Sequence, residues 1–146
     1  MSARDRLRVF YVAGNFVAGG AERHLLELWS RIDRSRFQIE IACFRREGQF
    51  LEAVEALGWP VLELGVGRRL YGPSGVRALS KLVDRALDFR PHVMHAYLFG
   101  PNLLGTLAGR IAGVPTIASK RNVDAFETPR QIAVQRFSLR LASHVT

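Results

Sequence analysis

The sequence predicts an α/β protein whose strands form one doubly wound, mostly parallel sheet. Short apolar runs typical of strands begin near residues 7, 37, 60, 92, 116 and 143. Most segments between these runs carry apolar residues at helical spacing. Strand and helix therefore alternate as βαβ units, which place helices on both faces of a mostly parallel sheet. Right-handed crossovers narrow this arrangement to a Rossmann-like sheet with the common strand order 3-2-1-4-5-6.

The first half of the chain supplies three of the predicted strands. Leu7–Ala13, which is apolar except for Arg8, indicates a buried strand, and the glycine-bearing stretch Gly14–Gly20 ends it. A helix is expected over Ala21–Ile32, because its apolar residues recur every three or four positions. The next elements in order are a strand at Phe37–Phe44, a short helix at Phe50–Leu57 and a strand at Pro60–Leu64.

The second half continues the alternation after a long loop, Gly65–Pro73. Ser74 offers an N-cap to a helix over Gly75–Phe89. The inner stripe of that helix is predicted to be Val76, Leu79, Val83 and Leu87. The remaining elements are a strand at Val93–Ala96, a helix at Asn102–Ala112 opened by Pro101, a strand at Thr116–Ser119, a helix at Pro129–Leu141 and a strand beginning at Ser143–Thr146. Because a strand opens in the last four residues, we expect residues 1–146 to be an incomplete N-terminal domain of a longer protein.

Composition and charge exclude several classes of protein. With 48% hydrophobic and 23% charged residues, the chain matches ordinary globular proteins rather than disordered or fibrous ones. The net charge of +8 favours an anionic partner, but the basic residues are scattered and no basic helix face carries aromatic residues. We therefore predict no nucleic-acid binding. Cys43 is the only cysteine, which fits a reducing, cytoplasmic location, and no apolar run is long enough to cross a membrane.

The glycine-bearing loop after the first strand is the first candidate site. In a doubly wound sheet, ligands bind at the carboxyl ends of the strands where the strand order reverses, beside strands one and four. Gly19 and Gly20 precede the first helix, and Glu22 lies in its first turn. Adjacent glycines at a helix N-terminus let backbone N–H groups approach an anion. Alternatively, the glycines only make a tight turn, and Glu22 only complements the helix dipole.

The loop Tyr97–Pro101 after the fourth strand is expected to face the glycines. His95 lies near the end of that strand and is predicted to act on a substrate hydroxyl or phosphate. Tyr97 and Asn102 are predicted to wall the same pocket. The alternative for His95 is a buried histidine that belongs to the core.

Residues after the fifth strand add positive charge to the same edge. Lys120 and Arg121 are followed by Asn122. Arg121 and Asn122 are expected to contact a ligand or a neighbouring domain, whereas Lys120 is equally well explained as a solvated surface charge.

Other kinds of site are poorly supported. The four histidines lack metal-ligand spacing, so no metal site is predicted. The G-x-G-x-x-G fingerprint is absent, and Arg45 and Arg46 follow the second strand where a ribose-binding acid would stand. A dehydrogenase is therefore disfavoured. A binding module without catalysis, for a phosphorylated ligand or a protein partner, remains an alternative to an enzyme.

The loop Gly65–Pro73 carries a side hypothesis. Arg68, Arg69, Leu70 and Tyr71 combine cationic and apolar side chains, which suits peripheral contact with anionic headgroups at the inner membrane face. The alternative is a loop that meets only water.

Four segments together resemble a known family. Over nearly all 146 residues the chain resembles the N-terminal domain of family 4 glycosyltransferases, which are retaining enzymes of the GT-B fold. The resemblance is carried by Gly19–His24, Pro91–Ala96, Asn102–Gly105 and Ala112–Pro115. Arg121 and Asn122 look like one branch of that family.

The resemblance implies half of a two-domain transferase. Such enzymes move a sugar from a nucleotide-sugar donor, here expected to be UDP- or GDP-linked, to a glycan or lipid-linked acceptor. The N-terminal domain supplies mainly the acceptor pocket and a glycine-rich loop near the donor diphosphate, which would be Gly19 and Gly20 with Glu22 beside them. An absent C-terminal domain would bind most of the donor in cis. No cofactor is implied, and catalysis is usually metal-independent. The 146-residue chain alone is expected to be inactive.

The fourth strand departs from the family pattern at two positions. Relatives often carry Asp where His92 stands and a second histidine where Tyr97 stands. The catalytic role is therefore assigned to His95, with Tyr97 as a hydrogen-bonding wall, and which of the two takes the usual histidine's place is left open.

Overall fold

The computed structural model describes residues 5–67, 69–120 and 128–146. Within these ranges one parallel sheet has the strand order β3-β2-β1-β4-β5-β6, which confirms the predicted fold class and order. The strands are β1 (Leu7–Ala13), β2 (Phe37–Cys43), β3 (Val61–Glu63), β4 (Val93–Tyr97), β5 (Thr116–Ser119) and β6 (His144–Val145). The helices are α1 (Gly20–Arg31), α2 (Leu51–Ala56), α3 (Pro73–Phe89), α4 (Phe99–Ala112) and α5 (Pro129–Leu141).

Two helix starts differ from the prediction by more than one residue. Helix α3 begins at Pro73 with Gly72 as its N-cap, so Ser74 is not the cap. The Ser74 hydroxyl instead accepts the Gly67 N–H at 3.1 Å and donates to the Arg69 carbonyl at 3.3 Å, which fixes the preceding loop. Helix α4 begins at Phe99, two residues before Pro101.

The predicted inner stripe of α3 is right at Leu79 and Val83, which pack partly buried against the core, and wrong at its two ends. Val76 is 68% exposed and Leu87 is 55% exposed. The buried stripe consists of Gly75, Ala78, Leu82, Ala86 and Phe89. Three of these residues, Gly75, Ala78 and Ala86, are small, so apolar periodicity among large residues does not reveal this stripe.

Two apolar layers cover the two faces of the sheet. Helices α3 and α4 cover one face, where Phe10, Met94 and Leu82 belong to the same buried cluster. Helices α1 and α2 cover the other face over β1 and β2, where Trp29 and Ile41 are buried. The sheet is thus wound on both sides, as its strand order requires.

A buried ion pair links α3 to β2, and we expect its loss to be costly. Glu40 is only 7% exposed, and both of its carboxylate oxygens accept hydrogen bonds from the half-buried Arg85 guanidinium. Arg85→Ala would leave that carboxylate buried without its partner. We expect a loss of about 2–3 kcal/mol, below the roughly 3–5 kcal/mol typical of fully buried pairs. Urea unfolding would measure it, with the exposed Arg77→Ala on the same helix as control. Equal losses in the two variants would contradict this account.

Cys43 is expected to be chemically inert in the folded chain. Burial raises the pKa of its thiol to about 12, and the nearby Glu63 carboxylate adds to the shift. The reactive thiolate is therefore scarce near pH 8, where an unfolded cysteine with a pKa of about 8.5 is partly ionised. A thiol-reactive dye should label the native chain only at the rate of unfolding and label it fast in urea. Rapid native labelling would refute the predicted burial.

Candidate functional site

The glycine-bearing loop places the uncapped start of helix α1 at the carboxyl edge of the sheet. Gly19 is the N-cap of α1 with an extended backbone, and no side chain among the described residues caps the helix there. A Cβ at Gly20 would meet nothing within 4 Å, so the backbone at Gly20 is accessible. The Glu22 carboxylate folds back over Gly19. The first turn of α1 can therefore present N–H groups to an anion, with one carboxylate beside them.

A second loop holds the glycine loop in shape. The Phe16 N–H donates to the Glu47 carbonyl at 2.8 Å, and the Phe50 N–H donates to the Phe16 carbonyl at 2.9 Å. Phe16 itself is buried against Trp29. The approach to α1 is thus anchored at its middle, while the backbone at Gly20, at its end, stays accessible.

His95 and Tyr97 lie on the sheet face that α1 covers. The His95 ring lies 4.5 Å from the Tyr97 ring and stacks on Tyr11 at 5.5 Å. Burial, and to a smaller extent the neighbouring Tyr97, raises the pKa of Tyr11 to about 12. The Tyr11 hydroxyl in this stack is therefore uncharged at neutral pH. Tyr97 is only 2% exposed, and therefore a ligand reaches it less readily than it reaches the half-buried His95.

The structure links the two candidate loops through aromatic rings. His24 in α1 lies 6.3 Å from the Tyr97 ring, which itself packs on His95. Gly19, Gly20 and the end of β4 therefore meet at one edge, as the predicted strand order requires.

Ser119 joins the remaining candidates and was missed as a site residue by the sequence analysis. Its hydroxyl lies 2.8 Å from His95 Nε2 and 2.6 Å from Thr146 Oγ1. Its carbonyl accepts a 3.0 Å hydrogen bond from Asn102 Nδ2. Asn102 is fully buried, so its evident role is to fasten α4 to β5. In the sequence Ser119 is only the last residue of a strand, and no spacing marks it as a hub.

The cationic end of the candidate site is only partly described. The Lys120 N–H donates to the Thr146 carbonyl at 2.9 Å at the end of β5. Arg121 and Asn122 lie outside the described residues, and their predicted contacts stay a prediction.

A cavity of about 610 Å³ opens at the same edge, on the sheet face covered by α3 and α4. Its volume lies within the usual range for small-molecule sites. Of the residues that the sequence associated with a membrane, Arg69, Leu70 and Tyr71 line this cavity together with Phe44 and Phe99, while Arg68 lies outside the described residues. These residues lie in three separate segments of the chain, and only the packing of those segments brings them together.

The described part of the chain offers neither a metal-binding cluster nor a membrane-spanning helix. No group of three or more His, Cys, Asp or Glu side chains there could hold a metal ion. None of the described helices is long and apolar enough to span a bilayer.

Comparison with known families decides the family of this chain. Residues 19–146 match a family model described as a glycosyl transferase 4-like domain. The chain belongs to this family. The match begins at Gly19, the first glycine of the helix start, and it confirms the resemblance seen in the sequence. No curated protein matches the chain.

Solved structures show which fold this glycosyltransferase 4-like domain has. It is similar to Anabaena Alr3699/HepE in complex with UDP, at 20% identity and a TM-score of 0.77, covering 95% of this chain and 37% of that chain. It is also similar to Acinetobacter baumannii MurG, at 14% identity and a TM-score of 0.69, covering 95% and 40% of the two chains. A third similar structure is UDP-GlcNAc 2-epimerase from Methanocaldococcus jannaschii, at 14% identity and a TM-score of 0.68. The match covers 95% of this chain and 38% of that chain.

At these identities the likeness establishes the fold. The glycosyltransferase 4-like domain spans about two fifths of the length of these neighbours.

Proposed function

We propose that this chain is the acceptor-side, N-terminal domain of a retaining glycosyltransferase of the cytoplasm. The enzyme would transfer a sugar from a UDP- or GDP-sugar to a glycan or lipid-linked acceptor. Family membership supports the reaction class. The observation that carries the proposal is the uncapped start of α1 at Gly19 and Gly20, which lies at the same edge as His95.

This edge of the sheet is suited to bind the departing diphosphate. A nucleotide-sugar donor loses a nucleoside diphosphate, whose negative charge grows as the glycosidic bond breaks. Preorganised backbone N–H groups stabilise such charge without reorganising, and glycine lets the phosphate come close. Gly19 and Gly20 are proposed to contact the diphosphate, while a second domain holds the rest of the donor.

His95 is proposed to act on the sugar side of the same cleft. Its Nε2 is engaged with the Ser119 hydroxyl, and its ring is packed between Tyr11 and Tyr97. A ring held in this way keeps one orientation, which is what positioning a sugar hydroxyl requires. Tyr97 and Asn102 support this arrangement from within the core.

Binding of UDP tests the proposal, because UDP is the nucleotide in the HepE complex with the same fold. The 146-residue chain should bind UDP weakly, because most donor contacts are assigned to another domain, but still in preference to NADH. Gly20→Val should remove that binding without lowering the melting temperature, since space at Gly20 is open. Preference for NADH would favour a dehydrogenase-type site, and binding of neither nucleotide would contradict the proposal.

Charge at the helix start gives a sharper prediction. Removing the Glu22 carboxylate by Glu22→Gln takes a negative charge away from the anion site, so UDP affinity should rise about two- to fivefold at low salt. Glu27→Gln, on the exposed side of the same helix, should leave the affinity unchanged. A loss of affinity in Glu22→Gln would instead show that the carboxylate binds a ligand hydroxyl.

The chain by itself is expected to lack transferase activity, because the proposal assigns most donor contacts to another domain. Incubation with UDP-glucose and release of free UDP would measure it. Turnover above the level of a Gly20→Val control would contradict this expectation.

A further inference from the structure

The cavity at the carboxyl ends of β2, β3 and β4 has the composition of a site for an anionic ring compound. Its walls come from Phe44 after β2, residues 66, 67 and 69–72 after β3, and Phe99 and Gly100 at the start of α4. A volume of about 610 Å³ accommodates a ligand of the size of a phosphorylated sugar. None of the residues proposed above to contact the donor lines it.

Arg69 gives the cavity its charge. No acidic residue is among the lining residues that the structure describes. Arg69 takes part in none of the ion pairs found in the described ranges, all of which involve Arg45, Arg46 or Arg85. A guanidinium at a cavity wall without a carboxylate favours a phosphoryl or carboxylate group on the ligand.

Aromatic side chains give the cavity its second property. Tyr71 is 68% exposed, and Phe44 and Phe99 line the same space. A large exposed ring beside a cavity is suited to packing against the apolar face of a sugar ring. Gly100 keeps Phe44 in its place, because a Cβ there would lie 2.7 Å from the Phe44 ring.

The loop that carries Arg69 and Tyr71 is fixed before any ligand arrives. The Ser74 hydroxyl bonds to the Gly67 N–H and the Arg69 carbonyl, and the Gly72 N–H donates to the same carbonyl at 3.4 Å. The absence of a side chain at Gly75 admits the Leu70 carbonyl against α3. A loop held in this way loses little entropy on binding.

We propose that this cavity binds the acceptor, and that the acceptor carries a phosphoryl group paired with Arg69 and a ring packed on Tyr71. The assignment rests on the proposed function, which it deepens by naming the acceptor class. The phosphoryl group belongs either to a soluble sugar phosphate or to the headgroup of a lipid-linked acceptor. Both sources present the same chemistry to Arg69.

NMR titration of the nitrogen-15-labelled 146-residue chain with glucose 6-phosphate and with glucose tests the proposal. The comparison separates recognition of the phosphoryl group from recognition of the sugar ring. Glucose 6-phosphate should perturb amides of residues 69–72 and 99–100, whereas glucose should bind at least tenfold more weakly. Arg69→Gln should weaken glucose 6-phosphate at least tenfold, and Arg69→Lys should restore part of the affinity. Arg77→Gln, an exposed arginine of α3 outside the cavity, is the matched control. Gly100→Ala should weaken binding, because the added Cβ would displace Phe44 from its place at the cavity wall.

Vesicles of phosphatidylcholine with and without phosphatidylinositol distinguish the two sources. Binding of glucose 6-phosphate that depends on Arg69 supports a soluble acceptor. Binding only to phosphatidylinositol vesicles, again dependent on Arg69, supports a lipid-linked one. Equal binding of glucose and glucose 6-phosphate, no effect of Arg69→Gln on either probe, or binding of neither would overturn the assignment. UDP binding is measured separately, from the amides of residues 19–23. A loss of UDP binding therefore bears on the proposed function alone.

Discussion

Gly48→Ala should destabilise the chain by about 3–5 kcal/mol, the larger of the two strongest effects that we expect. Gly48 has a φ of +115°, which a residue with a Cβ adopts at a cost of about 1–3 kcal/mol. A Cβ there would also overlap the backbone of Phe16, and overpacking of this kind typically costs about 1–3 kcal/mol more. Because Phe16 anchors the glycine loop, the same change should displace the start of α1.

Thermal and urea unfolding would measure the effect. Gly14→Ala is the matched control, since Gly14 lies in the loop that Gly48 supports and a Cβ there meets nothing within 4 Å. The control should melt within a few degrees of the parent chain. If the two variants melt together, the packing of Gly48 on Phe16 is wrong.

Gly75→Ala should lower stability although alanine is the better helix former. In an exposed helix the replacement would gain up to about 1 kcal/mol. Here a Cβ would overlap the Leu70 carbonyl, so the loop 69–72 has to move away from α3. We expect a net loss of about 2–3 kcal/mol together with weaker binding of glucose 6-phosphate, because Arg69 and Tyr71 move with the loop.

Gly20→Ala gives the comparison for that change. It also lies in the first turn of a helix, but its Cβ would enter open space, so stability should be unchanged or slightly higher. A stable Gly75→Ala variant would show that the loop is not packed as described.

Periodicity predicted most of the fold because the strands are short and mostly apolar, and because glycine or proline stands directly beside β1, β3 and β5. The bounds of β1, β5 and α5 agree with the sequence prediction, and the strand order follows from βαβ handedness. The buried face of α3 was not predictable in this way. Its buried positions include small residues such as Gly75, whose contact with the Leu70 carbonyl appears only in the folded chain.

The candidate site, like the fold, was predictable from the sequence only in part. Gly19, Gly20 and His95 were predicted at one edge, because the carboxyl ends of adjacent parallel strands meet there. The hub at Ser119 and the cavity beside Arg69 were not predicted. Both arise from contacts between segments far apart in the chain, such as Ser119 with Thr146, that no local pattern marks.

Mapping of UDP on the amide spectrum of the labelled chain tests the central claim most directly. If the carboxyl edge of the sheet is the donor-facing edge, UDP should perturb Gly19, Gly20 and the end of β4 near His95. Amides at the opposite edge, such as those of Arg36 and Val114, should not move. Perturbation confined to that opposite edge, or no perturbation at any UDP concentration, would contradict the assignment of this edge to a nucleotide-sugar transferase.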